Sequence, residues 1–217
     1  MTRANEHAVA GLYAITPDEA DTARLVHLVD AAMAGGARFV QYRNKTASPG
    51  LRVEQARALM RSCRHASVPL IVNDHPDIAA EVDADGIHLG QDDGDVAAAR
   101  ARFPKALLGV SCYNDIARAL EAKRLGADYV AFGRFFPSVT KPGTIRATLA
   151  LVAQAKREVG LPIVAIGGIT LENAPSLLAG GVDALAVISA LFGSADVRDT
   201  ASRFAALFLR ESKNEQR

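Results

Sequence analysis

The chain has 217 residues, 49% of them hydrophobic, and a formal net charge of +1 from 25 Lys and Arg against 24 Asp and Glu. This length is close to the lower limit for a complete (β/α)8 barrel. The near-neutral charge argues against a broad electrostatic surface for nucleic acid or anionic membrane.

The two cysteines and the apolar segments also limit the function. Cys63 and Cys112 lie far apart and form no C-x-x-C pair, which argues against a zinc cluster or a disulfide framework. No apolar run reaches the ~18 residues that a membrane helix needs, and the first ten residues lack the apolar core of a secretory signal. We therefore expect a cytoplasmic protein with reduced thiols and no membrane partner.

One pattern recurs along the chain: an apolar run, a short polar cluster and a helix-like stretch. The apolar runs are nearly continuous instead of alternating, as in strands buried on both faces of a parallel sheet. They lie at about residues 11–16, 37–41, 69–73, 84–89, 107–111, 127–132, 161–167 and 183–188. This number of strands favours a single α/β domain, a (β/α)8 TIM barrel, over a doubly wound open sheet. We predict one domain over residues 1–217, with a core at about 11–210 and a frayed tail at 211–217.

The helix-like stretches carry their own boundary signals. Glycines at 35–36, 126 and 180–181 each follow such a stretch and precede an apolar run, which is typical of a helix ending before a strand. The segment 114–125 has the apolar spacing of an amphipathic helix, and Asn114 is its predicted N-cap. The last helix is predicted over about 196–210.

Polar side chains follow the strands at the ends that converge on one face of a barrel, where barrel enzymes place their active sites. Gln41-Tyr42-Arg43-Asn44-Lys45 closes the second strand, and a period of two puts Gln41, Arg43 and Lys45 on one face. Two cations and an amide there suit a polyphosphate. A solvated basic loop would have the same composition and stays an alternative.

Acidic residues follow the next two strands. Asp74 comes after the third strand and Asp93 after the fourth, so the two carboxylates are predicted to face each other. Like charges this close are unfavourable unless a cation neutralises them, and Mg²⁺ with a bound phosphate takes one or two carboxylates. Asp74 could instead cap the next helix, with Pro76 in its first turn. His75 and His88 match no zinc spacing and are interpreted as structural.

A second polar group lies on the opposite side of the predicted barrel. The loop after the sixth strand contains Ser138, Thr140 and Lys141, and Gly167-Gly168 and Ser189 follow the seventh and eighth strands. Loops after those two strands often bind a monophosphate, which glycine amides can approach closely. An ordinary loop with a surface lysine, and glycines needed only for a tight turn, are the alternatives.

The residues therefore predict two phosphorylated ligands in one barrel mouth: a metal-bound diphosphate near strands two to four and a monophosphate near strands seven and eight. Ser111, after the fifth strand, is predicted to be a hydrogen-bond donor, with helix entry as its alternative role. The chain shows no Ser-His-Asp or Cys-His arrangement for covalent catalysis. Transfer or elimination at a diphosphate fits these features.

The ordered motifs resemble those of the thiamine-phosphate synthase (thiamine-phosphate pyrophosphorylase) family over about residues 11–192. Each motif alone is weak, and the ordered set is specific. The matching pieces are L-Y-A-I-T (12–16), Q-Y-R-N-K (41–45), V-N-D (72–74), D-G-I-H-L-G-Q-D-D (85–93), G-V-S (109–111), G-A-D-Y-V (126–130), F-P-S-V-T-K (136–141), A-I-G-G-I (165–169) and A-V-I-S-A-L (186–191).

The resemblance implies an enzyme that joins a hydroxymethylpyrimidine diphosphate to a thiazole phosphate, with or without a carboxylate, and releases pyrophosphate by a dissociative substitution. It implies that Mg²⁺ is held by Asp74 and Asp93, and that Arg43, Lys45, Ser111 and Lys141 are catalytic. It places the pyrimidine diphosphate against Gln41, Tyr42, Arg43, Asn44, Lys45, Asn73, Ser111 and Lys141. It places the thiazole phosphate against Ser138, Val139, Thr140, Gly168, Ile188 and Ser189.

The chain departs from the family pattern at Cys112-Tyr113-Asn114, at 133–138 and after Lys141, which bears on loop conformation more than on reaction type. The family also suggests a homodimer. Two other functions stay open on the sequence: a thiazole tautomerase-like isomerase and a non-catalytic sensor of a phosphate ligand on the same barrel. Neither explains why both the basic loop and the acidic pair are present.

Overall fold

A computed structural model describes residues 9–90, 94–137 and 147–214. Within these residues eight parallel strands close into a barrel in chain order. The strands are β1 (Gly11–Ile15), β2 (Phe39–Tyr42), β3 (Leu70–Asn73), β4 (Gly86–Leu89), β5 (Leu107–Tyr113), β6 (Tyr129–Gly133), β7 (Ile163–Ile166) and β8 (Ala184–Val187). The predicted (β/α)8 barrel is therefore confirmed.

Helices cover the outside of the barrel and alternate with the strands. Those in the described residues are α1 (Thr22–Ala34), α2 (Pro49–Ala66), α3 (Pro76–Val82), α4 (Val96–Arg102), α5 (Ile116–Arg124), α6 (Leu149–Glu158), α7 (Ala174–Ala179), α8 (Ser189–Phe192) and α9 (Val197–Asn214). In the part of the chain that the structure describes, no helix combines the length and apolarity of a membrane span.

Apolar side chains form layers inside and outside the barrel wall. The interior cluster includes Tyr13, Phe39, Ile71 and Tyr129. Outward-facing strand residues form two further clusters against the helices, one on the β2–β4 side and a larger one on the β5–β8 side. Burial on both faces explains why the strands read as continuous apolar runs in the sequence.

Aspartates tie the strand starts together at the bottom of the barrel. Each follows a helix-to-strand turn, immediately or almost immediately before an even-numbered strand, and accepts a hydrogen bond from the backbone N–H at the start of the preceding odd-numbered strand. The pairs are Asp85 with Leu70 at 3.0 Å, Asp128 with Leu108 at 2.8 Å and Asp183 with Ile163 at 2.7 Å. A side chain here supplies the acceptor that a strand end lacks.

Two predicted helix boundaries are wrong. Asp115, not Asn114, caps α5, because its carboxylate accepts from the N–H groups of Ala117 and Arg118. Asp is as good an N-cap residue as Asn, and here the carboxylate one residue further along takes the position. The last helix spans Val197–Asn214 and so extends beyond the predicted end at about 210.

Asp128→Ala is expected to lower the free energy of unfolding by about 1–3 kcal/mol, because the partly buried Leu108 N–H would lose its acceptor. Arg100, which donates to the same carboxylate at 2.5 Å, would lose its partner too. Urea denaturation measures the change.

Glu121→Ala is the matched control, because it removes an exposed ion pair with Arg124 inside α5. It should leave the unfolding midpoint unchanged. An equal loss in both variants would show that the bond to Leu108 adds no stability.

Candidate functional site

A pocket opens beyond the carboxyl ends of β2 and β3. It is lined by Tyr42, Arg43, Asn44, Lys45, Arg52, Asn73, Asp74 and His75. The structure thus brings together the basic segment and the Asn-Asp pair that the sequence predicted to meet. His75, interpreted as structural from the sequence, also lines this pocket.

The basic loop is anchored to the end of β1. Thr16 is fully buried, and its Oγ1 donates to the Arg43 carbonyl at 2.8 Å and accepts from the Arg43 N–H at 2.9 Å. Asp18 accepts from the Lys45 N–H at 2.7 Å and lies 3.4 Å from Arg43 Nη1. These contacts fix where the two cations leave the backbone.

Asn44 has a different environment from the one predicted. Its side chain is buried, and Nδ2 donates to the Glu19 carbonyl at 2.7 Å and to Gln55 Oε1 at 3.0 Å. Its Oδ1 accepts from the N–H groups of Thr46 and Ala47. Asn44 therefore shapes the loop from within, and its amide hydrogens are committed to the protein.

Tyr42 and Gln41 point to opposite sides of β2. Tyr42 packs outward, where its hydroxyl donates to Gln55 at 2.9 Å and burial raises its pKa above the ordinary value. Gln41 points into the barrel and donates to the Tyr13 hydroxyl at 3.1 Å. Alternation along β2 thus turns Tyr42 away from the interior, and the strand ends before Arg43 and Lys45, so the single face predicted for Gln41, Arg43 and Lys45 stays a prediction.

Arg52 is a pocket residue that sequence reasoning did not select. It lies on α2, and its Nε donates to the Asn44 carbonyl at 3.1 Å while Nη2 donates to the Lys45 carbonyl at 3.2 Å. The guanidinium therefore binds the backbone that carries the two predicted cations. No sequence motif marks it, because the contact depends on how α2 packs over the loop.

Asp74 occupies a strained backbone position at the end of β3. Its φ of 60° is in the left-handed region, which Asp and Asn tolerate better than most residues. Asn73 Nδ2 donates to Asp74 Oδ2 at 2.5 Å, so the side chain is oriented by its neighbour. The capping alternative for Asp74 is wrong, because His75 holds the N-cap position of α3 and makes no side-chain capping bond. Pro76 is in the first turn, as predicted.

Ser111 lies at the end of β5, with its hydroxyl 2.9 Å from His88 Nε2. His88 is buried, and its Nδ1 lies 3.1 Å from the Tyr129 hydroxyl. His88 is therefore held between two hydroxyl groups inside the barrel. On the outer side, Arg118 donates to the Ser111 carbonyl at 2.7 Å and to the Gly90 carbonyl at 3.1 Å.

The departure at Cys112-Tyr113-Asn114 leaves Ser111 in place. Cys112 is buried, and burial raises the pKa of its thiol to about 12. The thiol therefore stays protonated at neutral pH and is a poor nucleophile. Tyr113 is partly exposed, with a φ of 55°.

The strand-seven end of the site depends on Gly168. Its φ is 65°, and an added Cβ would lie 2.3 Å from the Pro137 carbonyl oxygen. Asn173 donates to the Gly168 carbonyl at 2.9 Å. The positive φ and the close approach of the segment after β6 are each a reason for glycine at this position.

Only some of the other predicted residues of this end belong to the described part of the chain. Ile188 is the N-cap residue of α8, which begins at Ser189. Ser138, Val139, Thr140 and Lys141 lie outside the described residues, as does Asp93. The structure therefore describes the wall opposite the diphosphate pocket without the loop that was predicted to complete it.

Comparison with known proteins agrees with these motifs. A family model described as "Thiamine monophosphate synthase" matches residues 12–191. Thiamine-phosphate synthase of Methylobacillus flagellatus is 56% identical over 96% of this chain and 100% of its own length. The enzyme of that name from Nitrosospira multiformis is 52% identical over 94% of this chain and 88% of its length. Thiamine phosphate pyrophosphorylase from Pyrococcus furiosus superposes with a TM-score of 0.83 at 35% identity, over 93% of this chain and 96% of that one.

Gly168→Ala is expected to lower the free energy of unfolding by about 2 kcal/mol or more, because alanine is strained at this φ and its methyl group would collide with Pro137. Thermal unfolding followed by circular dichroism measures the loss.

Gly50→Ala is the control for the added methyl group, since Gly50 lies in the first turn of α2 with open space around its Cα. Its stability should be unchanged or slightly higher. A Gly168→Ala protein as stable as the Gly50→Ala protein would contradict the role given to this turn.

Proposed function

The chain belongs to the thiamine monophosphate synthase family and is a transferase that makes thiamine phosphate, and from that premise we propose which residues carry the reaction. The proposal concerns the diphosphate pocket, the metal and the thiazole end of the barrel mouth. The isomerase and sensor alternatives are not favoured, because the relatives are synthases over nearly the whole chain.

The pyrimidine diphosphate binds in the pocket at the ends of β2 and β3. The observation that carries this assignment is the meeting of Arg43 and Lys45 with Asn73 and Asp74 in one pocket. Cations on a loop fixed by Thr16 and Asp18 favour the charge of a diphosphate. Ser111 and Lys141 complete this set as hydrogen-bond donors.

Tyr42, Asn44 and Gln41 act on this ligand indirectly in our proposal. The Tyr42 hydroxyl is hydrogen-bonded to Gln55, the Asn44 amide oxygen to the N–H of Ala47, and the Gln41 amide nitrogen to Tyr13. They hold the shape of the site, and the substrate meets backbone atoms and the cations instead. This assignment narrows the set that the family resemblance implied.

The residues present fit Mg²⁺. Asp74 offers a hard carboxylate oxygen beside the cation pocket, and a diphosphate supplies the further oxygens that Mg²⁺ prefers over an all-protein cage. Asp74, with Asp93 from the loop after β4, would hold the ion. When bound, it would neutralise charge on the diphosphate.

The chemical step is a dissociative substitution. The carbon–oxygen bond to the diphosphate breaks, the pyrimidine methyl group becomes a resonance-stabilised cation, and the thiazole nitrogen donates its electron pair to that carbon. Arg43, Lys45 and Lys141 stabilise the charge that builds on the departing diphosphate. No protein nucleophile takes part, which suits a Cys112 thiol that burial keeps protonated.

The thiazole phosphate binds at the ends of β7 and β8. Gly168 and the turn from Ile188 to Ser189 supply backbone there, and Ser138, Val139 and Thr140 supply the opposite loop. A homodimer, which the family resemblance suggests, and the cytoplasmic location expected from the sequence complete the proposal.

The whole proposal is tested by one reaction. Purified protein is mixed with the pyrimidine diphosphate, thiazole phosphate and Mg²⁺, and thiamine phosphate and pyrophosphate are followed by chromatography. We expect equal amounts of both products, and none with EDTA. A folded protein that binds thiazole phosphate without forming product would overturn the proposal.

Asp74→Asn is expected to lower kcat by about 100-fold or more, because the variant loses the carboxylate charge that helps hold Mg²⁺. Asn tolerates the left-handed backbone as well as Asp does, so the fold should be kept. Turnover is measured across a Mg²⁺ titration.

Asp77→Asn is the control, because Asp77 lies three residues away on α3, exposed and paired with Arg102. It should keep wild-type turnover and wild-type Mg²⁺ dependence. Full activity in Asp74→Asn would remove Asp74 from the metal site.

Arg52→Met is expected to lower kcat/KM for the pyrimidine diphosphate by about 10-fold, because the Asn44 and Lys45 carbonyls lose their donors and the loop cations lose their fixed position. The KM for thiazole phosphate should not change, since that ligand binds across the barrel mouth. Steady-state kinetics with each substrate varied in turn separates the two effects.

Arg57→Met serves as the control on the same helix, where Arg57 pairs with Glu81 at the surface. Its kinetics should match the unaltered enzyme. A loss shared equally by both substrates in Arg52→Met would count against a local effect on the basic loop.

A further inference from the structure

A hydrogen-bond network of side chains crosses the interior of the barrel from β2 to β5. Its links are Gln41 Nε2 to Tyr13 Oη at 3.1 Å, Tyr13 Oη to Tyr129 Oη at 2.8 Å, Tyr129 Oη to His88 Nδ1 at 3.1 Å and His88 Nε2 to Ser111 Oγ at 2.9 Å. The network ends at the Ser111 hydroxyl, which the proposed function assigns to the diphosphate.

The hydrogen-bond network begins at Gln41, whose amide nitrogen can only donate, so Tyr13 accepts there. Either hydroxyl of the Tyr13–Tyr129 pair can donate to the other, and the order in which Tyr13 donates leaves the Tyr129 hydrogen for His88. The Tyr129 hydrogen is then directed at His88 Nδ1. An imidazole that accepts at Nδ1 carries its hydrogen at Nε2, and that hydrogen points at Ser111 Oγ.

Both tyrosine hydroxyls stay protonated at neutral pH. Both rings are fully buried in the barrel interior, and burial raises the pKa of each hydroxyl far above the ordinary value. The ring of His88 is stacked on Tyr129 with centroids 5.7 Å apart, which restricts its rotation. The network is therefore consistent with one order of donors, from Gln41 through Tyr13, Tyr129 and His88 to Ser111.

We propose that Tyr129 and His88 are positioning residues that aim the Ser111 hydroxyl hydrogen at the diphosphate of the substrate. This inference rests on the proposed role of Ser111. Because Ser111 Oγ accepts from His88, its own hydrogen must go to another acceptor. Among the described residues His88 is the one hydrogen-bond partner of that oxygen, and the diphosphate that the proposed function places at Ser111 supplies the acceptor.

The function follows from the chemistry of the departing group. A hydroxyl that is held as a donor, and cannot turn back to the imidazole, is available as charge grows on the leaving oxygens. If Tyr129 lost its hydroxyl, Nδ1 would lose its donor and the imidazole could take the other tautomer. Ser111 would then donate to His88 and point away from the substrate.

A double-mutant cycle tests this coupling. Ser111→Ala, Tyr129→Phe and the double variant are compared by kcat/KM for the pyrimidine diphosphate. We expect about a 10-fold loss for Tyr129→Phe, which is the effect of one hydrogen bond. The double variant should lose little beyond Ser111→Ala, because Tyr129 acts through that serine. Tyr113→Phe, which loses an exposed hydroxyl, is the control and should keep wild-type kinetics.

The outcomes separate the inference from the proposed function. Losses that multiply in the double variant, with Ser111→Ala itself impaired, would overturn the positioning role and leave Ser111 as a ligand. A fully active Ser111→Ala enzyme would overturn both.

A second measurement uses the unaltered protein and does not depend on whether Tyr129→Phe folds. Long-range proton–nitrogen correlation of the histidine rings should show His88 as the neutral tautomer with hydrogen on Nε2. Hydrogen on Nδ1 would contradict the order of donors and the inference with it. In a folded Tyr129→Phe protein we expect the Nδ1–H form to increase.

Discussion

Parallel strands that stop at a barrel rim leave backbone groups without sheet partners, and most of the described structure depends on how this chain supplies them. At the bottom, carboxylates such as Asp128 accept from the N–H groups at strand starts. At the top, the Thr16 hydroxyl pairs with both backbone groups of Arg43: it donates to the carbonyl and accepts from the N–H. Arg52 and Arg118 bind carbonyls of the loops beyond β2 and β4, and Arg118 also binds the Ser111 carbonyl in β5. In these contacts carboxylates accept from N–H groups that begin strands, and guanidinium groups donate to carbonyls at the opposite rim.

This asymmetry has a consequence for function. A guanidinium that satisfies loop carbonyls also places positive charge at the rim where an anionic substrate must bind. Arg52 and Arg118 together hold the backbone of Lys45, Ser111 and Gly90, all of which adjoin predicted ligand residues. Structural and electrostatic roles are thus combined in the same side chains. A substitution to a neutral residue would weaken loop geometry and the local field together.

The sequence predicted the order of the strands and the polar clusters at their ends, because both follow from local patterns of one to five residues. It could not assign Asn44 to the inside of its loop, since the partners Glu19 and Gln55 are distant in the chain and their approach depends on packing. Arg52 was missed for the same reason. The N-cap of α5 falls on Asp115 instead of Asn114, a choice that the sequence could not settle because neighbouring Asn and Asp are equally good capping residues.

The hydrogen-bond network inside the barrel has a structural requirement of its own. Interior layers of such barrels are usually filled by branched aliphatic residues, and buried hydroxyls cost free energy unless each finds a partner. Here the Tyr129 ring lies so close to Gly109 that an added Cβ would be 2.0 Å from its Cζ atom. Glycine at 109 thus makes room for the tyrosine that connects Tyr13 to His88. An apolar residue at 129 would fill the space but leave both neighbours without that bond, so the interior and the site depend on one ring position.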